Sequence, residues 1–302
     1  MFALLAAALA MAGLPAQAPA AAGPEIVQIR EGAPVTIRPD RAYFIIRVHK
    51  PKGVPTFEPV MMRIPSAAEM EDYRAAKAKA FAEAEPKLKA ERERALARKS
   101  QAEAAGKTFN GDIPPVPSLE TFNFVYAGTL NVNAVANNWP FVKGQPDNLF
   151  LVETVPGDFV LYGASWGMGW QGLHVCFCLG TVGFTAPAGQ VIDLGTFYAD
   201  AAKSKSSVPE LAAETGFGPS SDTPNVLIAG TVRPVVPGTA LPPALAGVKV
   251  VPAEYRAVGK FFNPNAGGVN RLVPVPGILA YDRGKVIDVR SGREAAGAYP
   301  FR

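Results

Sequence analysis

A chain of 302 residues with 48% apolar side chains, 29 glycines and 29 prolines has enough apolar material for one large core or two small ones, and more turn residues than an all-helical protein carries. Its net charge of +4 is built from singly spaced residues without a basic run, which argues against nucleic acid as a partner. The charge is also polarised: residues 108–229 carry ten Asp/Glu against three Lys/Arg, and residues 230–302 carry ten Lys/Arg against four Asp/Glu. That pattern fits a basic tail folded back on its own acidic centre, or one that meets an external polyanion.

Phe2–Leu14 is an uninterrupted run of Phe, Ala, Leu, Met and Gly, followed by Pro19-Ala20-Ala21-Ala22-Gly23. This reads as a secretory leader over residues 1–22, cut after Ala20 or Ala22, and it places the mature protein in a periplasm or outside the cell. The absence of Lys or Arg before Arg30 departs from the usual pattern. The run is shorter than the roughly 20 apolar residues that span a bilayer, and no other segment is apolar enough to cross one. No cysteine sits near the cut, which argues against a lipid anchor.

Residues 23–65 read as the first strands of a β domain: VTIRPDRAYFIIRV has two β-rich runs about the turn pair Pro39-Asp40, and FEPVMMRIP gives a third. Residues 66–107 change character to Ala, Glu, Lys and Arg. Ser66 and Glu69 fit a capping box, and Gly106 a stop. Pro86 is expected to kink this helix or to divide it into a helical hairpin. Met70, Tyr73, Phe81, Leu88 and Leu96 make too thin a stripe for a core helix. The segment is therefore expected as a solvated insertion, or as a helix for self-association or for a partner.

Residues 108–200 hold the core of the β domain, with strands expected at Phe122–Tyr126 and Asn148–Thr154 and then along Val155–Tyr198 as strand, loop, strand, turn, strand. Residues 201–302 are Pro-rich: a short helix at Pro209–Thr215, a strand at Asn225–Val232, extended connections and a final hairpin over Ile278–Asp288 with Gly284 at its turn.

Two enzyme motifs occur by letter only. Gly163-Ala164-Ser165-Trp166-Gly167 matches a nucleophile elbow, but glycines and another strand follow where a helix is needed, and no acid lies between Ser165 and His174. Gly167–Gly172 matches a dinucleotide loop but leads into β sequence, not a helix N-terminus. A tight loop is the plain reading of both, with Trp166, Met168 and Trp170 either capping the core or forming a binding surface.

His174, Cys176 and Cys178 alternate along a strand and so share a face. Two inert buried thiols are one reading. A Cys176–Cys178 disulfide is another, although same-face positions lie about 6.6 Å apart on a strand, at the edge of disulfide geometry. A zinc or copper site is a third; His174 and Cys178 are about 13 Å apart when extended, so donors such as His49, Met61, Met62 or Asp193 would have to join. No catalytic constellation stands out.

The VPGDFVLYG and APAGQVIDLGTFY segments, each a Pro/Gly turn opening a β run, resemble bacterial envelope β-sandwich proteins with transthyretin-like or carboxypeptidase-regulatory-like domains. Cys176–Phe184 and Gly189–Gly195 are similar to C-x-C-x-G-T-V-x-F and G-x-V-x-D-L-G strands of uncharacterised exported proteins. The resemblance covers about 45 residues and implies a fold, not an activity. The expectation is a mainly β protein, an antiparallel β-sandwich carrying an inserted long helix or helical hairpin, with a non-enzymatic binding or structural role in the envelope. A metal or thiol-redox protein centred on Cys176 and Cys178 is the second expectation, and a hydrolase using Ser165 the third.

Overall fold

The computed structural model describes residues 26–50, 57–124, 133–135, 139–144, 146–166, 173–203, 226–236, 238–261 and 269–298. In chain order the elements are β1 (Ile26–Ile29), β2 (Ala42–His49), β3 (Glu58–Arg63), α1 (Ala67–Ala104), β4 (Asn133–Val135), β5 (Asp147–Thr154), β6 (Gly157–Trp166), β7 (Leu173–Cys176), β8 (Thr181–Ala186), β9 (Val191–Lys203), β10 (Val226–Arg233), β11 (Val250–Pro252), β12 (Arg256–Val258), β13 (Leu279–Asp282), β14 (Lys285–Asp288) and β15 (Arg293–Glu294). The protein is mainly β, with three sheets and one long helix. No helix among the described residues is long and apolar enough to cross a membrane.

The first sheet runs β1-β5-β2-β9-β10, with β11 also on β9; the second runs β12-β8-β6-β3-β4, with β7 also on β6. One apolar cluster takes side chains from both: Phe44, Ile46 and Val48 of β2 and Ile192, Leu194 and Phe197 of β9 join Phe159 and Leu161 of β6 and Val182 and Phe184 of β8. Phe44 meets Phe159 and Phe184 edge-on at 6.1 and 6.0 Å. The other face of the first sheet is also covered, by Phe141, Leu245 and neighbours over Tyr43, Ile45, Leu151 and Val191. Burial on both faces explains why AYFIIRVH shows an apolar run where a half-buried strand would alternate.

The first sheet is not purely antiparallel, as the sequence expectation had it. β2 and β11 both run parallel to β9. β2 and β9 are far apart in sequence, so a long crossover can set either direction, whereas a hairpin can only set the antiparallel one. Their register slips between Ile45 and Arg47. Gly195 sits at the slip with φ +77°, where a Cβ would collide with the Arg233 carbonyl.

α1 is one continuous helix through Pro86, not a hairpin. Ser66 and Glu69 form the full capping box, and Arg63 at the end of β3 bonds the Glu69 carboxylate, Nη1 to Oε2, at 2.8 Å. Those hydrogen bonds hold the Glu69 carboxyl down at about 2. The return is an extended segment laid along the helix: Phe122 meets Phe81, Phe124 meets Tyr73, and Arg92 and Lys77 donate to the carbonyls of Pro114 and Glu120. The strand expected from Phe122 is therefore absent as far as Phe124, and residues 108–124 belong with the helix. β3 and β4 are antiparallel neighbours, Met62 opposite Asn133. The whole arm is thus an insertion in the connection between two paired strands, and none of its described residues joins the three apolar clusters.

The third sheet, β13-β14-β15, begins with the expected hairpin, whose turn residues Arg283 and Gly284 both have positive φ, +46° and +77°. Tyr281 seats it on the rest by donating to the Leu272 carbonyl at 2.7 Å. At the surface, Arg256 of the basic tail pairs with Asp158 of the acidic stretch at 3.3 Å. The segment Pro209–Thr215 lies outside the described residues, as does the leader.

Candidate functional site

β6 carries Gly163–Trp166 of the serine motif as strand where a loop was expected, and Gly167 lies outside the described residues. Ser165 stands opposite Glu58 of β3 on one side and His174 of β7 on the other, and its side chain is buried. A nucleophile elbow needs a sharp turn that lifts the serine out of the sheet; here the backbone is committed to ladders on both edges. Gly163 is required by packing, since a Cβ there would strike the Val175 carbonyl oxygen.

β7 ends at Cys176. The Phe177 N–H donates to the Tyr162 carbonyl at 2.7 Å, and the Gly180 N–H donates to the Phe177 carbonyl at 3.2 Å, closing a turn. The turn brings the Cα atoms of Cys176 and Cys178 to 5.2 Å, and the two residues are joined as a disulfide. This is shorter than the extended-strand spacing used in the sequence argument, because the strand stops two residues early. Val175 and Phe177 still point into the inter-sheet core, while Cys176 and Cys178 pack on the opposite side with Met62, Val160, Val258 and Phe261. Both cysteines are buried, at 1% and 3% exposure. The C-terminal segments hang from this turn: the N–H groups of Asn270 and Phe261 donate to the carbonyls of Cys176 and Cys178 at 2.8 and 2.9 Å.

The donors that a metal would need are dispersed. Met61 points into the inter-sheet core and Met62 into the cluster around the disulfide. His49 and Asp193 are each engaged elsewhere. Among the described residues no three His, Cys, Asp or Glu side chains gather to hold a metal. The side chain of His174 lies outside the described set, as do Met168, Trp170 and the side chain of Trp166.

The most chemically varied surface lies at one end of the first sheet, on the face away from the inter-sheet core. Arg47 alternates with the core residues Ile46 and Val48, Asp193 with Ile192 and Leu194, Tyr198 with Phe197 and Ala199, and Arg233 follows Val232. All four therefore share that face. Arg47 Nη1 donates to Asp193 at 2.8 and 3.1 Å, and Asp193 also accepts the Gly195 N–H at 2.8 Å, so the bulge places the acid. Arg47 Nη2 is buried and has no acceptor among the described residues. Next along β2, His49 Nδ1 bonds Asp147 Oδ1 of β5 at 2.8 Å, and its ring lies 4.9 Å from that of Tyr198. The guanidinium of Arg233 caps Tyr198 at 4.2 Å, within cation–π range. His49 is 31% exposed and Asp147 27% exposed, so this end is open where Phe141 and Leu245 cover the middle of the face.

Chemically, the arrangement offers two guanidinium groups, an imidazole oriented by a carboxylate, and an aromatic face. It suits recognition of an anionic or aromatic group. The sequence reading had placed His49 at the surface and set Asp193 aside as a spare donor; it missed Arg47, Asp147, Tyr198 and Arg233 as a group. The signal was present: Arg47 and His49 break an apolar run in β2, and Asp193 breaks one in β9. Polar residues in strands buried on both faces need partners, and those partners are one another.

Comparisons with family models, curated proteins and solved structures give no match to this chain.

Proposed function

We propose that the chain is an exported, non-enzymatic binding module of the cell envelope, a β-sandwich that takes an anionic ligand at the open end of its first sheet. The observation that carries the reading is the Tyr198–Arg233 platform beside His49–Asp147, with the exposed Arg233 guanidinium over the Tyr198 ring. Export rests on the Phe2–Leu14 run and the small residues after it. The sandwich is supported by Phe44 packing between strands of two sheets, and its likeness to transthyretin-like envelope domains by the Pro/Gly-opened strands. A redox role is less well supported, because thiol–disulfide exchange needs an attacking thiolate to reach sulfur and both cysteines are buried.

The test is a thermal-shift series with defined anions: inorganic phosphate, a phosphorylated sugar, a dicarboxylate and vesicles of anionic phospholipid. The reading expects at least one to raise the midpoint of the native protein and to lose that effect in Arg233→Ala and His49→Ala, whose own midpoints stay near the native one. A shift that survives both substitutions, or no shift with any probe, would reject the site.

A further inference from the structure

Among the described residues, the return segment covers one face of the arm. Tyr73, Lys77, Phe81 and Arg92 meet the return segment. The opposite face centres on Pro86, which is exposed, and carries Lys79, Ala82, Glu83, Lys89, Ala90 and Glu93, with Glu85 and Lys87 on its two flanks. Read outward from Pro86 in both directions, three matched pairs near the midpoint have opposite charges, Glu85 and Lys87, Glu83 and Lys89, and Lys79 and Glu93; the like-signed matches, Arg74 with Arg98 and Glu69 with Glu103, lie farther out on the flanks of the helix. Small Ala82 and Ala90 match each other. Pro86 lies within one residue of the middle of a helix that spans Ala67–Ala104. A helix with charge of reversed sign about its midpoint is complementary to a second copy laid antiparallel, and repels a parallel one in register, where Glu would meet Glu and Lys would meet Lys.

From this we infer that the open face of the arm docks on the same face of a second copy of this chain, antiparallel, with Pro86 across from Pro86. The contact is isologous, so each acid–base match occurs twice. Pro86 suits the dyad, because its missing N–H and small ring sit where two helices come closest. The same side chains are held in place before docking by pairing within the helix, Lys89 to Glu85 at 2.8 Å. Exposed ion pairs are individually weak, so the dimer is reversible and sensitive to salt. The inference is independent of the ligand site, which lies on the first sheet.

Sedimentation of the full chain tests it. A mass of two chains is expected at low salt and of one chain in about 1 M NaCl, where the screening length falls to about 3 Å. Glu83→Lys with Glu85→Lys should give one chain at every salt concentration, and adding Lys87→Glu with Lys89→Glu should restore two. Helicity by circular dichroism confirms that each variant keeps its arm. Direction is read by cross-linking: Pro86→Cys should join two copies, Ala75→Cys should join Ala97→Cys chains but not itself. A single chain at low salt, a dimer indifferent to the charge reversal, or Ala75→Cys joined to itself would each overturn the proposal.

Discussion

The β portion and the arm are stabilised by different physics. The β portion pairs strands that are distant in sequence, β2 with β9 and β1 with β5, and seals them with aromatic and aliphatic side chains that are wholly removed from water. The arm is local: helix-forming residues, a capping box at Ser66, and a return segment that rests on Tyr73 and Phe81, with Ala95 alone fully buried. A long Ala/Glu/Lys helix needs little tertiary support. The lesson is that a chain can carry a large element, about 57 Å long at 1.5 Å per residue, that its core does not require. Its place in the β3–β4 connection makes this physically reasonable, since loop length costs little once the paired strands fix the ends.

That contrast can be broken from either side. The largest effect is expected from Phe44→Ala, which empties the junction between the sheets and should cost about 3–5 kcal/mol. In a urea titration the near-ultraviolet signal of the β portion should move to lower denaturant while the helical signal at 222 nm lags behind it; simultaneous loss would mean the arm depends on the core. Asp193→Ala should approach the same size, about 3 kcal/mol, by leaving the half-buried Arg47 guanidinium without its acid. Arg47→Met with Asp193→Leu should recover much of that loss if the pair serves stability, and should leave ligand binding weakened if Arg47 also faces the ligand.

Smaller effects follow. Tyr255→Phe removes a buried hydroxyl that donates to the Leu194 carbonyl at 2.7 Å, and should cost about 1 kcal/mol. Burial also raises the pKa of that tyrosine, so the stability it lends is complete below its ordinary value and fades as pH rises through the raised one; the alkaline limb of an unfolding curve should move to higher pH in Tyr255→Phe. Glu69→Ala strips the helix of its capping carboxylate, an effect of about 1 kcal/mol on the arm, and also removes one partner of Arg63 at the end of β3. The Glu69 carboxyl titrates at about 2 against an ordinary value of 4.5. Its contribution is therefore whole above about pH 4.5 and disappears as pH falls toward 2. Helicity at 222 nm should decline over that window in the native chain and much less in Glu69→Ala.

Much of this fold could be read from the residues. The Ser66–Glu69 box located the helix start, and the alternation around Cys176 assigned Val175 and Phe177 to one side and the two cysteines to the other. The turn at Gly284 located the last hairpin. Local chemistry determined each of these. What escaped was non-local. Nothing near Tyr43 announces that its strand lies parallel to Val191, and nothing near Phe122 announces that it packs on Phe81 instead of pairing in a sheet. Pro86 was expected to divide the helix, yet a single proline on an exposed face costs one hydrogen bond in a helix with many others. Of the site, only His49 and Asp193 stood out in the sequence, and the grouping with Arg47, Asp147, Tyr198 and Arg233 depends on the order β5-β2-β9-β10, which the sequence does not state.

The most direct test of the two-part account is the thermal unfolding of a chain in which residues 66–124 are replaced by a short turn. The account predicts a cooperative transition, a native near-ultraviolet spectrum and a midpoint within a few degrees of the full chain, together with loss of the dimer. A non-cooperative transition or a spectrum without tertiary signal would contradict it and would make the arm part of the core.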